Sequence, residues 1–239
     1  RIQASAAPLP KDAIANIEYK RVGDWVGKLD LSPPAPKASE KSPLVVYIHG
    51  GGWSVGSKSQ ANAGLNRGIV QRLRESGVAV ASLDYRLTLP GTAVTVRDCV
   101  VDCKDALRFL KKNEATYGLH MSRVAVWGAS AGGHLALMLA IAPHTAFVGD
   151  PALAACDVTP IGCVSWFGAT DLLDQEIWGS DEAKLERRIG ARFYPPETPR
   201  ELKIETMREL SPISHLRHDA PPILLVQGDQ DPIVPMMNA

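Results

Sequence analysis

Five unbroken apolar runs punctuate this chain: Leu44–Ile48, Val78–Leu83, Val124–Trp127, Ile161–Phe167 and Pro222–Val226. A strand with one wet face alternates apolar and polar residues, whereas an unbroken run needs cover on both faces. Helical patterns separate the runs at Asn62–Ser76, Val96–Lys112 and Gly132–Ala142, with weaker ones at Ser180–Phe193 and Pro199–Leu210. Strand and helix alternating at this spacing predict an α/β fold, a mostly parallel central sheet with helices on both faces. At 239 residues the chain has room for one large domain of this kind.

Residues 1–16, with Pro8 and Pro10, read as an N-terminal arm, and residues 17–239 as the single domain. Ile17–Gly23 and Trp25–Leu31 look like two strands around a Gly23-Asp24 hairpin turn. Ser32–Ser42, carrying Pro33, Pro34 and Pro36, is a surface connection. On the helix at Val96–Lys112, Cys99, Cys103, Leu107 and Leu110 form one apolar stripe, while Asp98, Asp102, Asp105 and Lys112 fall elsewhere on the wheel. The two cysteines read as buried thiols, because no local ligand completes a metal site. Cys156 and Cys163 flank a turn at Pro160 and leave a disulfide or two buried thiols open.

Lys plus Arg equals Asp plus Glu at 26 each, and no basic stretch concentrates charge, so a nucleic-acid partner is not expected. No apolar run reaches the 18 or so residues that would span a bilayer, which argues against a membrane partner. The chain opens at Arg1 rather than Met, which is compatible with a removed signal peptide. A secreted or periplasmic location is the expectation, a cytoplasmic one the alternative.

The chemistry is concentrated in two glycine-rich turns. Gly128-Ala129-Ser130-Ala131-Gly132 follows one apolar run and opens a small-residue helix. In that setting G-x-S-x-G describes a nucleophile elbow, with the serine on a sharp turn and glycines where neighbouring backbone must pass close. The bland alternative is a glycine-rich helix start capped by a serine. His49-Gly50-Gly51-Gly52-Trp53 comes directly off the run Leu44–Ile48 and argues against that alternative. Three glycines let the backbone fold tightly and present N–H groups to a tetrahedral oxyanion, with Gly51, Gly52 and Ala131 as the expected donors. A phosphate cradle is rejected, since neither glycine-lysine nor dinucleotide fingerprint is present.

These two motifs, with Asp84-Tyr85-Arg86-Leu87 and Gly228-Asp229-Gln230-Asp231-Pro232-Ile233-Val234-Pro235, stand in the order found in α/β-hydrolase carboxylesterases. The chain resembles that family from about Ile17 to Pro235, in particular the hormone-sensitive-lipase-like group and the bacterial feruloyl and acetyl-xylan esterase-like branch. The resemblance implies an ester hydrolase with a Ser-Asp-His triad, no metal and no organic cofactor. It makes Ser130 the nucleophile and Asp231 the acid, with Asp229 and Asp171 as weaker candidates. It makes Asp84 a structural aspartate, gives His49 and Trp53 supporting places in the oxyanion motif, and puts Phe167–Asp171 at the mouth of the site.

The triad histidine should follow the acid after one more strand, yet the eight residues after Asp231 include none. The expectation is therefore that the histidine, with a last strand and helix, lies beyond Ala239. His134 is expected to pack within the nucleophile helix, His120 and His144 to sit in connecting segments, and His215 and His218 to precede the strand before the acid. Release of acetyl or feruloyl groups from plant polysaccharide is the reading drawn from the resemblance. A general short-chain carboxylesterase is the first alternative, with formamidase or peptidase chemistry behind it. A binding protein of the same fold that lacks the histidine is the alternative from another class. The partner is accordingly a small ester or an acylated polysaccharide, with Trp53, Trp166 and Trp178 either lining its mouth or packed in the core.

Overall fold

The computed structural model describes residues 6–35, 41–174, 190–195 and 197–238. Among them are seven strands: β1 (Ile14–Val22), β2 (Trp25–Ser32), β3 (Ser42–Ile48), β4 (Ala79–Leu83), β5 (Leu119–Ala129), β6 (Gly162–Trp166) and β7 (Ile223–Val226). They form one sheet in the order β1-β2-β4-β3-β5-β6-β7. β1 and β2 are an antiparallel hairpin turning at Gly23, whose φ of 55° suits a residue without a Cβ. β2 runs antiparallel to β4, and every later pairing is parallel. This is the mostly parallel α/β sheet that the alternating sequence pattern implies, in the α/β-hydrolase arrangement that the resemblance implies.

Each of the five apolar runs forms a strand, and the parallel strands at the centre are buried as an unbroken run requires. All five residues of β4 are buried, and Val46, Ile48, Val124 and Val126 are fully enclosed. β5 begins five residues earlier than its apolar run predicts. Over that extension Leu119 and Met121 are buried while His120 and Ser122 are exposed, a half-buried alternation. His120 therefore lies on a strand and not in a connection.

α1 (Gly64–Glu75) covers one face, packing Val70, Ile69 and Leu73 on Tyr47, Val80 and Trp127. α2 (Val96–Lys112) and α3 (Ala131–Ile141) cover the other with the larger core, which also takes Met207 of α4 (Arg200–Glu209). The backbone N–H of Thr95 donates to Asp98 at 2.8 Å, fixing the start of α2. α3 is buried along its whole length, as its uniformly apolar sequence requires.

α2 buries part of its charged side as well as its apolar stripe. Asp102 and Asp105 are wholly enclosed, bonded to Lys20 from β1 at 2.9 and 2.8 Å, with Arg86 and Arg108 completing the network. Cys99 and Cys103 are buried, and all four cysteines are free thiols. The weak helical pattern at Ser180–Phe193 falls mostly at 175–189, outside the described residues, as does Trp178. Its last part, Ala191–Phe193, is one helical turn. No helix among the described residues is long and apolar enough to cross a membrane.

Sheet order places the site. The chain leaves β3 towards β4 on one side, and leaves β5 towards β6 on the other. The carboxyl ends of β3 and β5 therefore flank the point where strand order reverses, the crevice where open α/β sheets bind ligands. Both glycine-rich turns begin at those two strand ends.

Candidate active site

Ser130 sits between β5 and α3 with φ 55° and ψ −124°. A side chain at positive φ is strained by roughly 1–3 kcal/mol and persists only where its surroundings hold it. Here the Ser130 N–H donates to the Trp166 carbonyl at the end of β6 (2.8 Å), and its own carbonyl accepts from His134 N (3.0 Å). A Cβ on Gly128 would lie 2.2 Å from the Gly132 carbonyl oxygen, and one on Gly132 would lie 2.1 Å from that of Ile48. The G-x-S-x-G spacing follows from these two approaches, since any side chain at either glycine would force the elbow open. Ser130 keeps partial exposure.

The second turn crosses beside it. A Cβ on Gly50 would lie 3.5 Å from Ser130 Cβ, so the chain leaving β3 passes directly against the serine. Gly51, at φ 121°, uses its carbonyl to accept from Ser54 and Val55 N–H, both at 3.1 Å. A Cβ there would lie 2.0 Å from the Val55 carbonyl oxygen. The N–H groups of Gly51, Gly52 and Ala131 have no acceptor among the described residues. Ala131 also opens α3, whose N-terminal end adds a positive field. Unsatisfied N–H groups of this kind are what an oxyanion requires, and at Gly51 the backbone tolerates no side chain.

The supporting residues hold this loop from below. His49 is buried, stacks on Tyr85 with centroids 4.2 Å apart, and accepts through its carbonyl from the Tyr85 hydroxyl at 2.9 Å. Burial lowers the His49 pKa to about 4, so its ring is neutral. Trp53 donates from Nε1 to His134 Nδ1 at 3.3 Å, and His134 Nε2 is bonded to the Leu210 carbonyl at 2.8 Å. Both His134 nitrogens are thereby engaged in one neutral tautomer, and burial lowers its pKa to about 4. Asp84 accepts from Lys58 N–H at 2.7 Å, bracing the turn that follows Trp53, and burial raises its pKa. Trp53 is buried against His134, and Trp166 packs on Trp127 against the α1 face.

Asp231 lies in the loop after β7. Its Oδ1 accepts from Ile233 N–H (2.8 Å) and Val234 N–H (3.1 Å), and these bonds hold its pKa below the ordinary carboxylate value. The Gln227 side chain also bonds this carboxylate and lowers its pKa in the same sense. Asp229 is exposed in the same loop. Asp171 Oδ1 accepts from Leu173 N–H at 2.8 Å, and its loop is tied to the segment after Asp231 through Asn238, which bonds Thr170 N (2.9 Å) and the Asp171 carbonyl (3.0 Å). The four remaining histidines are engaged or lie away from the serine. His120 is near the opposite end of β5, His144 faces Asp157, His215 bonds the Glu209 carbonyl, and His218 is exposed in the turn before β7.

Sequence reasoning missed Arg192. Its guanidinium lies over the oxyanion loop, with Nη1 3.1 Å from where a Gly52 Cβ would be. No motif flags it, because its place comes from the packing of a distant helical turn.

The family model described as BD-FAE matches residues 29–239. The probable carboxylic ester hydrolase LipM of Mycobacterium tuberculosis is 28% identical over 200 residues, which are 83% of this chain and 43% of LipM. Esterase LipQ of the same organism is 26% identical, over 86% of this chain and 45% of its own length. The chain thus spans less than half of either relative. The apo form of Thermogutta terrifontis esterase 2 superposes with a TM-score of 0.75 at 25% identity, covering 96% of this chain and 76% of that one.

Proposed function

The chain belongs to the BD-FAE family, and from that premise we propose that it is a serine carboxylesterase acting on small esters. Ser130 is the nucleophile, and the observation that carries the reading is its strained elbow with Gly50 packed against it and three uncommitted N–H groups around it. Ser130 Oγ attacks the ester carbonyl, and its proton passes to a histidine oriented by Asp231. Negative charge collects on oxygen facing Gly51, Gly52 and Ala131. The alcohol leaves with that proton, and water repeats the attack to free the acid and the serine.

Neither buried histidine beside the serine is offered as the base. His134 is locked by two hydrogen bonds and His49 is stacked under the loop, and chain order in this fold puts the histidine after the acid. Small esters are favoured over acylated polysaccharide by the relatives' names and by Thermogutta esterase 2, which has been solved with butyrate and with propionate bound.

Treating the full-length protein with a diethyl 4-nitrophenyl phosphate probe and mapping the adduct tests the reading. One phosphoryl group on Ser130, with parallel loss of 4-nitrophenyl butyrate hydrolysis, is expected. An adduct elsewhere, or hydrolysis surviving full modification of Ser130, overturns the assignment.

A further inference from the structure

We propose that Arg192 is a specificity-determining residue that selects esters carrying a carboxylate a few bonds from the scissile carbonyl. The inference rests on the esterase reading above and adds a substrate class to it.

Two adjacent contacts fix Arg192 in register with the oxyanion loop. Phe193, fully buried, meets Trp53 edge to face with centroids 5.3 Å apart. Arg192, one residue earlier, then falls over Gly52, one residue before Trp53. Its Nη1 lies 3.1 Å and its guanidinium carbon 4.0 Å from where a Gly52 Cβ would sit. The next residue, Tyr194, is also buried, and the Lys203 ammonium lies 5.1 Å from its ring centre. Arg192 thus projects from a turn clamped by its two following neighbours.

Among the described residues no carboxylate pairs with Arg192. Arg74, Arg86, Arg97, Arg108 and Arg217 each pair with a carboxylate. Arg192 has no hydrogen-bond or ion-pair partner among the described residues and is half-buried. A planar guanidinium partly removed from water binds carboxylates in a two-pronged geometry that a flexible surface lysine does not match. Gly52 lies two residues along the chain from Gly50, whose Cβ would sit 3.5 Å from Ser130 Cβ, so Arg192 borders the same loop that passes the serine, on the side where a substituent of a bound ester would extend. A carboxylate meeting it can lie on the acyl side, as in a hemi-ester of a dicarboxylic acid, or on the alcohol side, as in an ester of a hydroxy acid.

Matched substrates on the full-length protein test this. 4-Nitrophenyl hemisuccinate is compared with 4-nitrophenyl butyrate for the acyl side, and the butyrate ester of glycolic acid with ethyl butyrate for the alcohol side. The wild type should favour the anionic member of one pair. Arg192→Ala should lower kcat/KM for that member by about tenfold to a hundredfold, chiefly through KM, and leave the neutral esters within about twofold. Arg192→Lys should restore part of the loss, and Arg192→Glu should reverse the preference. Equal losses on neutral and anionic esters, or none on either, overturn the proposal. Succinate binding read by tryptophan fluorescence separates it from the esterase reading. Succinate binding that Arg192→Ala abolishes, without hydrolysis of any ester, supports Arg192 and sinks the esterase. Hydrolysis of butyrate esters with neither preference nor succinate binding sinks the role of Arg192 alone.

Discussion

Trp53 Nε1 donates to His134 Nδ1 across 3.3 Å, a single bond joining the turn after β3 to the helix behind the elbow. It exists only while Nδ1 is an acceptor, because a protonated imidazole offers donors at both nitrogens. Acidification therefore acts on the contact that holds the two halves of the site together.

Stability should consequently fall with pH from neutrality downwards. His134 and His49 have folded-state pKa values of about 4, lowered by burial, against an unfolded value of 6.5. Between those values the unfolded chain binds more protons, so stability drops as pH falls through the window and is fully present above it. Each histidine accounts for about 3.4 kcal/mol at most. Lys104, lowered by burial to about 7, acts with the same sign above neutrality until about pH 9, where the buried Cys99, Cys103 and Cys163, whose pKa values burial raises, begin to act against it. Urea unfolding from pH 7 to 4 checks this, and His134→Gln should flatten the slope. An unchanged midpoint across that range would contradict the burial of both rings.

Two glycine substitutions should separate close backbone approach from helix propensity. At Gly132 an added Cβ meets the Ile48 carbonyl at 2.1 Å, so Gly132→Ala must shift backbone and should cost about 3 kcal/mol or more, with loss of activity. At Gly68, exposed in the middle of α1, a Cβ meets nothing within 4 Å. Gly68→Ala should stabilise by about 0.5–1 kcal/mol and leave activity alone. Thermal unfolding of the two variants reads both signs.

The difference between those glycines shows where sequence reading reaches and where it stops. The five apolar runs, the hairpin at Gly23 and the elbow around Ser130 are legible because each is encoded within a few consecutive residues. Lys20, Asp102, Asp105 and Arg108 are not, since nothing in the helical wheel of α2 announces that its acidic side meets a lysine from β1. Arg192 is illegible for the same reason. Its position depends on Phe193 finding Trp53 across about 140 residues of chain.

Asp231 and Asp229, two residues apart, should behave oppositely. Asparagine at 231 keeps the oxygen that accepts from Ile233 and Val234, so the loop survives. Its amide nitrogen then replaces the oxygen meant for the histidine, turning an acceptor into a donor. Asp231→Asn should therefore lower kcat by about 10²- to 10⁴-fold with little change in stability, whereas Asp229→Asn should stay within about twofold. Steady-state hydrolysis of 4-nitrophenyl butyrate decides, and a larger loss at 229 would move the acid there.

Ser130 allows catalysis and strain to be separated. Ser130→Ala removes Oγ but keeps a Cβ at φ 55°, so hydrolysis should fall by at least about 10³-fold while unfolding stays near the wild type. Ser130→Gly removes the hydroxyl and also the Cβ that makes this conformation costly. Glycine loses more backbone entropy on folding, but the left-handed region removes most of the conflict, so a net gain of about 1 kcal/mol is expected. An inactive variant more stable than the wild type would show that the fold holds its serine against the backbone's preference, which is the cost of presenting a nucleophile at the end of β5. Equal stability of the serine, alanine and glycine proteins would mean that the elbow stores no strain, and the case for a catalytic turn would then rest on reactivity alone.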